Sequence, residues 1–211
     1  MASTPADLAA RGWWVRSSLP GPATRLQWVG VLSTDFPPGS VVDLPHGPRP
    51  PAWQVRVVAD GDGDRVHEVE VAAPAAPLLW YVEVPEPDAG PAATTLLAFS
   101  DERHPDGTVR TLAEARAEGV TGTEQVAAVR WWPGDGLVHQ LYVAEPARRR
   151  GIAGKLVQAA YGVQAARGLP ELHADGRRTE LGEQWRLALP AHVALRFADL
   201  TEVAAPMTPV G

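Results

Sequence analysis

Three consecutive arginines, Arg148, Arg149 and Arg150, run straight into Gly151, Ile152, Ala153 and Gly154. This is the stretch whose residue types best suit chemistry. The first turn of a helix presents unpaired N–H groups and the positive end of the macrodipole, so an anion of pyrophosphate size is stabilised there. Glycine and alanine let the backbone approach such an anion closely. The arginines add charge, although a run of like charges also serves as an ordinary solvated face. Two histidines flank the stretch, His139 before it and His173 after it. Imidazole changes charge near neutral pH, so either one can accept a proton directly or through water. Each also has a plainer reading. His139 then bonds within its sheet, and His173 belongs to a turn in which Thr179 caps the next helix. In the chemical reading of His173, Asp175 sets its tautomer.

These residues need elements to position them, and the pattern supplies a series. Glu124 to Trp132 and Leu137 to Val143 read as a hairpin around Pro133-Gly-Asp-Gly136. The longest helix follows, from Gly151 to Arg167, closed by Gly168 and Pro170. A short strand, Glu171 to Ala174, and a helix from Thr179 to Leu189 come next. Upstream, Thr111 and Glu114 form a capping box that opens a short helix to Glu118. Before that the text is strand-like, with runs at Leu26 to Leu32, Trp53 to Ala59, Val66 to Ala72, Leu78 to Val84 and Thr94 to Phe99. Pro37 to Pro51 and Pro85 to Pro91 read as connections. Asp60-Gly-Asp-Gly-Asp64 resembles the start of a calcium loop, but the closing acidic position holds Val71, so it reads as a hairpin turn. Of Trp13-Trp14 and Trp131-Trp132, alternation sends one of each pair inward, and Trp185 reads as core.

Composition narrows the classes. A net charge of -6 argues against a protein built to bind a nucleic-acid backbone. One lysine, Lys155, stands against 18 arginines, so the triple-arginine knot in an acidic chain points to a small anionic ligand. Without cysteine there are no disulfides, thiolate metal sites or cysteine nucleophiles. No apolar run is long enough to span a bilayer, and Met1-Ala-Ser-Thr-Pro-Ala-Asp-Leu8 lacks the parts of a signal peptide, so a cytoplasmic protein with no membrane partner is expected.

The pattern Arg148-x-x-Gly151-x-Ala153, following a strand ending Leu141-x-Val143-x-x-Pro146, resembles the acyl-CoA signature of the GNAT superfamily of N-acyltransferases. The resemblance covers residues 124–190. It implies that Leu141, Tyr142 and Val143 offer backbone groups to a pantetheine arm, and that Arg148 to Gly154 hold the pyrophosphate. A splay between Leu141 and Leu172 would admit the thioester. His139 stands where many members carry a carboxylate, so His139 and His173 are the catalytic candidates. The text departs from the family in two ways. No tyrosine follows Tyr161, the second helix carrying Glu180, Glu183, Gln184 and Trp185 instead, and the two helices usual after the first strand are not visible.

The fold these readings imply is α+β: a GNAT-like bent mixed sheet with flanking helices over residues 106–211, preceded by a β-rich portion over residues 1–105. That portion either completes the same sheet or packs on the core as a separate domain, which is the preferred reading. The implied function is transfer of an acyl group, most simply acetyl, from acetyl-CoA or another acyl-CoA to a small-molecule or peptide amine. The alternatives are a non-catalytic module that binds CoA or a protein partner, and a relative with a different donor. The acyl-CoA is a co-substrate, no metal is expected, and a homodimer is compatible with the family. Glu83, Glu86 and Asp88 are acids able to attract a cationic amine.

Overall fold

Period-two patterning in the first hundred residues requires strands, and in the computed structural model it makes them. The structure describes residues 11–21, 24–33, 35–37, 39–45, 47–189, 194 and 197–205. The opening octapeptide, and parts of the Pro37 to Pro51 connection, lie outside the described residues. Strands β1 (Arg11–Leu19), β2 (Arg25–Ser33), β3 (Val41–Asp43), β4 (Trp53–Asp60) and β5 (Val66–Val71) form one sheet in the order β3-β1-β2-β4-β5. A second sheet holds β6 (Trp80–Glu86), β7 (Ala93–Phe99), β8 (Val109–Thr111), β9 (Ala127–Trp132) and β10 (Leu137–Val143) in the order β10-β9-β7-β6-β8. The helices are α1 (Leu112–Ala117), α2 (Ile152–Ala166) and α3 (Glu180–Leu187), and a two-stranded pair joins β11 (Arg177–Arg178) to β12 (Glu202–Val203). The protein is therefore mixed α+β, and mostly sheet.

The two sheets meet edge to edge. Glu68 bridges Thr108, and the Val69 N–H donates to Gly107 O at 2.7 Å, so β5 and β8 continue one sheet into the other. Helix α2 lies between them. Its Leu156, Ala159, Ala160 and Val163 join one buried cluster with Val55, Val57 and Val69 of the first sheet and Leu96, Val129 and Trp131 of the second. Gly162 permits the approach, since a β-carbon there would stand 2.6 Å from Val57 Cγ2. The Asp60–Asp64 turn docks on the helix end, where Arg167 donates to Gly63 O and Asp64 O and pairs with Glu83 at 2.6 Å.

The boundary expected at residue 105 falls between β7 and β8, two strands of a single sheet, and the first sheet ends at Val71. Periodicity reports which face a residue takes and not which strand it pairs with, so the pattern does not mark this division. On the outer face of the second sheet, α1 covers Trp80, Val82 and Phe99. The capping box of α1 forms as its spacing predicts. Glu171 to Ala174 does not form a strand. It makes only isolated bridges, Leu137 to His173 and Ala174 to Phe197.

Candidate functional site

Strand β10 carries a register shift against β9. Val138 pairs with Trp131 and Gln140 with Arg130, which leaves His139 as an extra residue. Such a bulge moves every later side chain to the opposite face from that expected. Val138, Leu141 and Val143 consequently share the core face and pack against the central cluster. His139 does not lie with Leu141 and Val143, as uninterrupted alternation predicts. It is exposed and stacks on Trp132 with centroids 5.1 Å apart and planes at 18°. Trp131 points inward, its indole N–H donating to Gln164 Oε1 at 3.0 Å, while the buried Trp132 Nε1 has no hydrogen-bond partner among the described residues.

The outer edge of β10 is paired only at its start. The Val138 N–H donates to His173 O at 2.8 Å, and the His173 N–H donates to Gly136 O at 2.9 Å. Among the described residues no segment pairs with this edge beyond Val138, so Leu141, Tyr142 and Val143 lie on an open edge. The chain leaves at Asp175, whose Oδ1 accepts the Arg177 N–H, and Thr179 caps α3 by accepting the Gly182 N–H. His173 is exposed, and its backbone bridges to Leu137 at the start of β10.

After β10, a 3-10 turn at Glu145–Ala147 leads to the arginines. Arg148 Nε reaches back to Val143 O at 3.1 Å. Arg149 takes a left-handed backbone with φ 61°, and its guanidinium donates to Gln184 Oε1 at 3.2 Å. Arg150 is exposed. Gly151, at φ 74°, is the N-cap of α2 and supplies no side-chain acceptor, so the N–H groups of Ile152, Ala153 and Gly154 keep the helix's positive end free of a side-chain cap. Ile152 is buried in the core, while the space beside Gly154 is open within 4 Å.

Two partners escaped sequence reasoning. Gln184 tethers the arginine turn to α3, and Lys155 fastens the wall behind it. The Lys155 ammonium is buried, paired with Asp106 at 2.7 Å and bonded to Pro77 O at 3.0 Å, while Asp106 also accepts the Leu79 N–H. A lone lysine was the only signal of that anchor. On α3, Glu183 sits between Arg186 and Arg178, whose hydrogen bonds hold its carboxyl down to about 2. Trp185 packs edge-on against Phe197 at 5.3 Å beside Val157 and Leu141, as core. Glu83 is paired with Arg167 and Glu86 with Arg130, so neither faces solvent as a lone carboxylate, and Asp88 is exposed. Among the described residues no three His, Asp or Glu side chains converge as a metal site, and no helix is long and apolar enough to cross a membrane.

Comparison with models of known families, with curated proteins and with solved structures finds no match for this chain.

Proposed function

We propose that this protein is a GNAT-type N-acyltransferase that moves an acyl group, most simply acetyl, from acyl-CoA to an amine. One juxtaposition carries the reading. An edge strand with which no described segment pairs beyond Val138, and whose Val143 O is held by Arg148, leads into a left-handed turn and a helix start without a side-chain cap. The open edge of Leu141 to Val143 suits the amides of a pantetheine arm, which bind as an added strand does. The first turn of α2, with Arg148 and Arg150 beside it, suits a pyrophosphate. In the reaction the amine nitrogen forms a bond to the thioester carbonyl carbon and the carbon–sulfur bond breaks. A backbone N–H near the bulge stabilises the oxyanion, His139 takes the amine proton through water, and water returns a proton to the thiolate.

One observation favours the non-catalytic alternative, a module that binds CoA or a protein. Helix α3 has no tyrosine, and the Tyr161 hydroxyl is already donated to Leu172 O at 2.9 Å. Melting with CoA and with acetyl-CoA, followed by thiol release over a panel of amines, separates the two. The transferase should be stabilised by both and release thiol with at least one amine. Stabilisation without release supports the binding module. Gly151→Glu places bulk and like charge at the turn and should abolish the CoA-dependent stabilisation; unchanged stabilisation in that variant removes the pyrophosphate assignment.

A further inference from the structure

A cavity of about 340 Å³ opens between the first sheet and the second half of α2. Glycine on the sheet side makes part of the room. A β-carbon at Gly30 would stand 3.1 Å from Trp14 Cζ3, so the missing side chain lets the indole reach across the neighbouring strand. Trp14, Val55 and Leu169 give the space an apolar wall, and Gln158 and Ala165 border it from α2. Pockets for small molecules run from about 300 to 1,000 Å³, so this one suits a guest of one or two rings. The lining offers such a guest no free charge. Among the described lining residues Glu171 is the only side chain charged at neutral pH, and it already has a partner. Tyr161 donates its hydroxyl to Leu172 O, and the Gln164 amide is engaged at both ends. Gln54 spends its amide nitrogen on Ala52 O and Trp53 O and keeps an acceptor oxygen. Gln158 gives one amide N–H to Gly154 O and keeps the other N–H together with its carbonyl oxygen, a donor and an acceptor on one planar group.

We infer that this cavity binds a neutral bicyclic aromatic lactam, its flat body against Trp14 and its adjoining N–H and C=O groups paired with the Gln158 amide. Apolar burial and stacking on the indole supply the attraction, and the amide pairing sets the orientation. A charged guest would leave water without finding a free counter-charge, which burial penalises. The site does not depend on the acyl-transfer reading, and its test contains no CoA.

The test is calorimetric titration of the whole protein with three probes built on one ring system. These are 2-quinolinone, which carries both groups, 1-methyl-2-quinolinone, which lacks the donor, and the anionic quinoline-2-carboxylate. The first should bind tightest, the methylated compound about tenfold more weakly, on the scale of one hydrogen bond, and the carboxylate weakest of all. Gln158→Leu should erase the difference between the two quinolinones, since both are then held by the apolar wall alone. Ala165→Phe, from a cavity-lining position on α2, should fill the space and abolish binding of both. The comparison of probes on the unaltered protein holds whether or not either variant folds. Absence of 2-quinolinone binding, equal affinity for the two quinolinones, carboxylate binding as tight as 2-quinolinone, or a tenfold gap kept in Gln158→Leu overturns the assignment.

Discussion

Arg149 holds a backbone conformation, φ 61°, that an L-residue adopts at a cost of about 1–2 kcal/mol. Glycine adopts it freely, and glycine does stand two residues later at φ 74°. A strained side-chain-bearing residue persists where its side chain is needed, and here it reaches Gln184 beside the proposed pyrophosphate turn. Arg149→Gly should therefore separate two measurements. Urea denaturation should show a gain of about 0.5–1 kcal/mol, because relief of strain exceeds the added freedom of the unfolded chain. Calorimetry with CoA should show weaker binding. Unchanged CoA affinity in a stabilised variant would make the arginine a solvated residue with no role in the site.

The elements show where sequence reasoning reaches and where it stops. Strands β2, β4, β5 and β7 and helices α1, α2 and α3 were legible because each is fixed by local facts: alternation, a capping threonine, a closing glycine. The bulge at His139 was not, since an extra residue in one strand is defined only by its partner's register. The strand expected at Glu171 to Ala174 is reduced to single bridges, His173 with Leu137 and Ala174 with Phe197, because pairing depends on partners that the local text does not name. The glycines of α2 make the point testable, because they look alike in the sequence and differ in their surroundings. A β-carbon at Gly154 meets nothing within 4 Å, so Gly154→Ala should gain up to about 1 kcal/mol in helix propensity. At Gly162 the same methyl would stand 2.6 Å from Val57 Cγ2 and 3.0 Å from Val55 Cγ2. Overpacking costs about 1–3 kcal/mol, so Gly162→Ala should be destabilising despite the same propensity gain. Guanidinium denaturation of both variants reads the opposite signs directly, and equal shifts would mean that α2 does not press on the first sheet.

At the scale of the molecule, the arrangement of the two sheets is set by what they share. They join at Glu68 and Thr108, and α2 fills the fold between them, so neither sheet buries its inner face without the helix. The helix in turn arrives late in the chain, after every strand of both sheets. Residues 11–71 and 80–166 are thus bound into one core by contacts of long sequence separation, and the ion pair of Arg167 with Glu83 closes the helix end onto the second sheet. A shared core predicts a single cooperative transition. Far-UV circular dichroism, which follows the backbone, and tryptophan fluorescence should give coincident urea curves, since tryptophans are placed in both sheets, at Trp28 and Trp53 and at Trp80 and Trp131. A chain begun at Ala76 keeps the second sheet and α2 but exposes the Gly162 face of the helix to water. It should lack a cooperative transition and bind hydrophobic dye. Two separate transitions in the whole chain, or sharp unfolding of the shortened one, would show instead that the first sheet is an independent unit, and that the seam at Glu68 and Thr108 is a contact between domains.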